Sequence, residues 1–198
     1  MLYSEKSNLA FVHIHKTGGL SFREFLERTF PDMREMPELP GPHHNVSDLL
    51  PALRRRGIEP ETAKILTVIR NPFAHVVSIY HYWRSDLISE QESQLSYIQF
   101  ARRATFPEFV LALIQHDPYL EALSIEGQIP PNVFVLTLEK LKDDAERVLK
   151  EQLGVNASID IPHLNRTEHA PYMEFYDEEL QRHIRTVYRW CFEAGYYE

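Results

Sequence analysis

Residues 9–30 read LAFVHIHKTGGLSFREFLERTF, and this stretch decides the fold. Leu9 to Ile14 form a short apolar run without polar alternation, the pattern of a strand buried on both faces. Phe22, Phe25, Leu26 and Phe30 then recur at helical spacing. His15-Lys16-Thr17-Gly18-Gly19 separates the two runs, so the segment reads strand, glycine turn, helix. Two glycines there let the backbone turn tightly, which aims successive N–H groups and the positive end of the helix dipole at one spot. Lys16 adds a full positive charge, and Thr17 and Ser21 add hydroxyls, so the turn can take an anion. An ordinary strand-to-helix turn with a solvated lysine would carry the same letters.

The unit repeats downstream. KILTVI (Lys64 to Ile69) is a second buried strand, followed by Arg70, Asn71 and Pro72. Asn71 suits an N-cap and Pro72 the first helical position, opening a helix with Val76, Ile79, Tyr80 and Trp83 on one face. VFVLTL (Val133 to Leu138) is a third strand, leading into a helix from Leu141 to Leu153 that Gly154 ends as C′. Ser47 is expected to open a helix over SDLLPALRRRG, and Phe106, Phe109, Val110, Leu113 and Ile114 mark another. A closing helix is expected from Asp177 to Ala194. The polar, weakly periodic region from Arg84 to Thr105 reads as a loop or lid. Strands alternating with helices imply an α/β fold with a central parallel sheet flanked by helices. In such a sheet the ligand crevice lies beyond the carboxyl ends of the strands. His15 to Ser21, Arg70 to Pro72, and Glu139 should therefore face one another.

The 198 residues are read as a single domain, 1–198, with 43% hydrophobic and 25% charged residues. A net charge of −8 is the wrong sign for coating nucleic acid or an anionic membrane, so any anion must be held by a local pocket. The single cysteine, Cys191, cannot form an internal disulfide, and no C-x-x-C metal pattern exists. The first residues hold no apolar signal region, and no run of ~18 apolar residues occurs, so a cytoplasmic protein without membrane anchor is expected. The sequons at Asn45, Asn156 and Asn165 are then chance matches.

The turn is not a Walker A loop, because Lys16 precedes the glycines instead of following them. No apolar strand ends in a Walker-B Asp, so magnesium lacks an obvious ligand and no metal is expected. FVHIHKTGGLSF resembles the 5′-phosphosulfate loop of sulfotransferases, and TVIRNPFAHVVSIYHYW resembles their 3′-phosphate element, an Arg followed eight residues later by a Ser. VFVLTLEKLKDD, HLNRT and the Gly195-Tyr196 ending are similar to later family segments in the same order, most closely in the carbohydrate-type enzymes. The resemblance implies a three-layer, P-loop-like α/β fold, 3′-phosphoadenosine 5′-phosphosulfate as donor co-substrate, and transfer of its sulfuryl group to an acceptor hydroxyl, on a saccharide or another small molecule. By the same resemblance Lys16, Thr17, Gly18, Gly19, Leu20, Ser21 and Phe22 would hold the 5′-phosphosulfate. Arg70 and Ser78 would hold the 3′-phosphate, with Arg166 completing the site. Ser78 lies about two turns into its helix, so its pairing with Arg70 rests on the resemblance.

Transfer to a hydroxyl needs a base, and imidazole titrates near working pH. GPHHNVSDLL resembles the family's His-containing stretch, which makes His43 and His44 the candidates, His43 ahead on the alignment of Val46 and Leu49. A surface histidine pair in a Pro-rich loop is the bland alternative. His13 and His15 share a face of the first strand; a structural role is expected for them over a metal site. Four positions depart from the family pattern: His15 for proline, Leu20 for a hydroxyl residue, His75 for arginine and Leu138 for tyrosine. Glu139 could equally serve the following helix as an N-terminal carboxylate. Two rival readings stay open: a small P-loop-type kinase using ATP and magnesium, and a nucleotide-binding protein without catalysis.

Overall fold

The computed structural model of the protein describes residues 1–41, 43–155, 159–161 and 171–198. Its first elements are β1 (Leu2–Ser4), β2 (Leu9–Val12), α1 (Gly19–Thr29), β3 (Arg34–Glu35), α2 (Val46–Arg55), β4 (Lys64–Ile69) and α3 (Pro72–Arg84). They are followed by α4 (Glu90–Ser93), α5 (Ser96–Arg103), α6 (Phe106–Leu113), α7 (Pro118–Leu123), β5 (Val133–Thr137), α8 (Leu141–Leu153), α9 (Glu178–Val187) and α10 (Arg189–Glu193). The described residues fall into two compact units, one within Met1–Arg70 and Pro118–Arg166, the other within Asn71–Asp117 and Thr167–Glu198.

The first unit carries a five-stranded sheet in the order β3-β1-β2-β4-β5. β2, β4 and β5 are parallel, with Leu9 opposite Lys64, Val12 opposite Thr67, and Ile69 opposite Thr137. The apolar run of β4 is central, and its residues from Ile65 to Ile69 are all buried, as a strand covered on both faces requires. Leu9, Phe11, Leu66, Val68 and Leu136 join Phe22, Phe25, Leu26 and Phe30 of α1 and Leu141, Ala145, Val148 and Leu149 of α8 in one hydrophobic cluster. The helical spacing of the α1 residues is thus what fixes that helix on the sheet. Each fully buried side chain of this size contributes about 1.5–3 kcal/mol.

The purely parallel sheet expected from the sequence is extended by an antiparallel edge. β1 pairs antiparallel with β2, Leu2 opposite Phe11, and β3 pairs antiparallel with β1. These strands are three and two residues long, too short to carry a periodic signal. Other boundaries shift for local reasons. β2 stops at Val12 because the chain must already bend toward the turn. α2 starts at Val46, not Ser47: Asn45 is the N-cap, and Asp48 accepts the Asn45 N–H at 2.9 Å in a capping box. The last helix breaks at Tyr188 into α9 and α10.

In the second unit, the expected loop from Arg84 to Thr105 contains α4 and α5. Ser89 and Glu92 form a capping box that starts α4, and Ile98 and Ala101 of α5 are buried. α3 begins as the sequence indicated: Asn71 Oδ1 accepts from the N–H of Phe73 at 3.0 Å and of Ala74 at 3.4 Å. The tail aromatics pack: Tyr176 is buried and donates to the Phe73 carbonyl at 2.9 Å, and buried Tyr188 meets His75.

Leu26 is fully buried between α1 and the sheet. Leu26→Ala should cost about 2–5 kcal/mol, read as a lower urea midpoint with an unchanged slope.

Candidate functional site

The turn His15–Gly18 joins the end of β2 to α1. Lys16 and Gly18 both take left-handed backbone conformations, φ 63° and 79°, and Gly18 is the residue before the helix. A Cβ on Gly18 would lie 2.5 Å from Leu138 Cδ1, and one on Gly19 would lie 2.0 Å from His13 Cδ2. Glycine is therefore required twice, for conformation at Gly18 and for space at both. Thr17 is fully buried and its hydroxyl donates to the Ile14 carbonyl at 2.8 Å, pinning the turn to the strand end. That proton is committed, so Thr17 can offer an anion its backbone N–H and not the hydroxyl hydrogen.

The N-cap residue, Gly18, has no side chain to cap α1, and the first turn of the helix holds no carboxylate. The dipole end is thus left positive, as anion binding needs. Leu20 is 49% exposed at the mouth of the turn, and Ser21 is buried. Phe22 points into the core, edge-on to Phe11 with centroids 5.4 Å apart, and its N–H is used by the Gly18 carbonyl. It supports the turn from below.

Lys16 has its pKa lowered, first by burial and second by the charge of Arg70. The turn after β2 and the residue after β4 are thereby brought together, as the parallel topology requires. Arg70 is fixed through its backbone: Tyr119 donates to its carbonyl at 2.6 Å and accepts its N–H at 3.2 Å. Tyr119 is fully buried, and the sequence reading passed over it; a buried tyrosine must satisfy its hydroxyl, which was the available signal. Leu138, at the end of β5, is the atom group against Gly18. Glu139 sits in the 3-10 turn Leu138–Lys140, while the N-cap of α8 is Lys140. The carboxylate that reaches back to the strand is Asp144, which accepts from the Thr137 N–H at 2.9 Å and hydroxyl at 2.8 Å.

His43 and His44 separate. The His43 ring lies 5.1 Å from that of His13 and 5.3 Å from that of His15, beside the turn. Its Nδ1 stands 3.4 Å from the His13 carbonyl oxygen. His44 instead places Nε2 2.9 Å from the Pro40 carbonyl and Nδ1 3.9 Å from Asp48. His13 has its pKa lowered to about 4, by burial first and then by His43, Arg23 and the N-terminal amine. It is therefore neutral at physiological pH.

Ser78 is buried in α3 of the second unit. His75, also buried there, has Nδ1 3.0 Å from the Tyr188 hydroxyl, a structural use of the position. Arg166 and the HLNRT segment lie outside the described residues. An open cavity of about 430 Å³ in the second unit is lined by Ser96, Gln99, Phe100, Arg103, Ala104 and Glu108, none of them a predicted site residue. Among the described residues no group of three or more His, Cys, Asp or Glu is placed to hold a metal ion. No described helix is long and apolar enough to cross a membrane.

A profile of the sulfotransferase domain matches residues 9–155. No curated protein sequence matches the chain. Among solved structures, that of mouse sulfotransferase SULT7A1 complexed with PAP is similar, with 16% sequence identity and a TM-score of 0.48 over 93% of this chain and 65% of that one. This chain spans less than two thirds of that protein's length.

Gly18 and Gly127 share a left-handed backbone, φ 79° and 80°, but a Cβ on Gly127 meets nothing within 4 Å. Both alanine substitutions carry the conformational cost, and Gly18→Ala adds the clash with Leu138. Thermal unfolding should place Gly18→Ala about 1–3 kcal/mol below Gly127→Ala.

His13 also imposes a pH dependence. Its folded pKa, about 4, lies below the ordinary 6.5, so the unfolded chain binds more protons between these values. The contribution is fully present above pH 6.5 and is lost as pH falls toward 4. The melting temperature of the wild type should drop across that window more steeply than that of His13→Phe.

Proposed function

The chain belongs to the sulfotransferase domain family, and on that premise we propose that it transfers a sulfuryl group from 3′-phosphoadenosine 5′-phosphosulfate to a hydroxyl of a saccharide. The observation that carries the reading is the start of α1, where the N-cap is a glycine without a side chain, the first turn holds no carboxylate, and Lys16 feels the charge of Arg70. That donor set fits a polyanion. It fits a nucleotide bearing phosphates at both ends better than a magnesium complex, because Lys16 precedes the glycines and no strand ends in an Asp.

When bound, the donor supplies an activated sulfuryl group with a phosphate oxygen as leaving group. The N–H groups of Thr17, Gly18, Gly19, Leu20 and Ser21 would take the phosphosulfate oxygens, while Phe22 holds the turn in place. Leu20 costs the site a hydroxyl and keeps the N–H. Lys16 would neutralise the bridging oxygen as its bond to sulfur breaks, the form of catalysis in which preplaced charge meets charge as it develops. His43 would accept the acceptor's proton as the acceptor oxygen bonds to sulfur. His44 is turned to Pro40 and Asp48 and is the weaker base candidate. Arg70 would bind the 3′-phosphate; Ser78 and Arg166 take that role by family resemblance alone. The products are a sulfate ester and 3′,5′-bisphosphoadenosine, with one proton on His43. The saccharide acceptor rests on the likeness of the ordered motifs, taken together, to the carbohydrate-type enzymes, and residues 1–198 are taken as one catalytic domain. A cytoplasmic setting accords with the lone buried Cys191.

At ~100 times Kd, 3′,5′-bisphosphoadenosine should raise the melting temperature by about 5–10 °C. Lys16→Ala should abolish turnover of labelled donor while remaining folded, and His43→Ala should lower it more than His44→Ala. A shift with ATP and magnesium but none with the bisphosphate would overturn the reading. A labelled-donor screen over sugars, phenols and lipids tests the acceptor class.

A further inference from the structure

His13 is wedged between the two parts of the site and has no role in the reaction described above. Its ring stacks on Phe11 at 5.9 Å and 17°, on the same face of the strand. One edge abuts Gly19 so closely that a Cβ there would lie 2.0 Å from Cδ2 and 2.4 Å from Nε2. Its face is tilted against the His43 ring at 5.1 Å. The His13 backbone carbonyl meets His43 Nδ1 at 3.4 Å. A carbonyl oxygen can only accept, so the proton in that contact belongs to His43 Nδ1. Neutral His43 then carries its lone pair on Nε2. His13 Nδ1 is buried without a hydrogen-bond partner among the described residues, so the ring is held by packing and not by a bond of its own.

We propose that His13 is a positioning residue for the sulfuryl-transfer site, its ring spacing His43 from the first residue of α1 and its carbonyl holding His43 in the tautomer with Nε2 as the basic atom. The inference rests on His43 acting as the base. The carbonyl and the ring belong to one residue at the end of β2, so the base and the phosphate turn are referred to the same rigid strand end. A displacement of the base by about 1 Å costs on the order of 100-fold in rate.

The test combines imidazole nitrogen NMR of the wild-type protein with kinetics of His13 variants. Wild-type His43 should carry its neutral-form proton on Nδ1. His13→Ala should reduce that tautomer's share and lower kcat by about 10- to 100-fold with little change in affinity for 3′,5′-bisphosphoadenosine. Both variants keep the backbone carbonyl, but His13→Phe also keeps a flat ring as spacer, and it should recover kcat to within about threefold of wild type. A wild-type His43 protonated on Nε2 overturns the proposal, whether or not the His13→Ala protein folds. So does a folded His13→Ala with wild-type kcat and tautomer. A wild type that transfers no sulfate yet shows the Nδ1–H tautomer supports the tautomer assignment and overturns the reaction reading instead.

Discussion

Everything in the first unit depends on how β2 becomes α1 within the turn His15–Gly18. The sheet requires the strand to end among buried neighbours, and the helix must start with its dipole end at the sheet's carboxyl edge. Both conditions are met by bringing the His13 ring against the Cα of Gly19 and Leu138 against that of Gly18. The left-handed conformation of Lys16, φ 63°, costs about 1–2 kcal/mol in a residue with a Cβ. It persists because Thr17 is buried and bonded to Ile14. The strain and the site therefore share one cause: a turn tight enough to aim its donors outward.

How much of this could be read from the letters varies with the strength of the local signal. β4 was read with both ends correct because five apolar or β-favouring residues, Ile65 to Ile69, follow Lys64 and stop at Arg-Asn-Pro. α8 was read with both ends correct because Gly154 adopts the left-handed conformation that closes helices, φ 65°. The edge strands β1 and β3 escaped because their place depends on pairing with β2, a non-local fact. The helices between Arg84 and Thr105 escaped for a different reason: Ser89 and Glu92 did spell a capping box, but the surrounding polarity masked it.

The site was legible in its residue types and less so in its geometry. Lys16, the glycines and Arg70 could be named from spacing and resemblance. Whether Thr17 spends its hydroxyl inward, or which of two adjacent histidines faces the turn, depends on side-chain direction at positions without a periodic pattern. Phe22 illustrates the limit in the other sense. Helical spacing already marked it as core, and the structure keeps it there, edge-on to Phe11. Tyr119 could not be named at all, because its partner is the backbone of a residue 49 positions away.

The net charge of −8 and a site for a polyanion are reconciled by local electrostatics. Burial and the neighbouring Arg70 both disfavour the charged form of Lys16. An anion placed beside them would act in the opposite sense and raise the proton affinity of Lys16. The acidic remainder of the surface repels long polyanions without reaching into the turn, since charges beyond about 8–10 Å are screened at physiological salt. In the proposed reaction Lys16 would act as a cation held at a cost, released where negative charge accumulates, which during transfer would be the oxygen leaving sulfur. A lysine resting freely in solvent would stabilise bound donor and transition state alike and would do less to separate them.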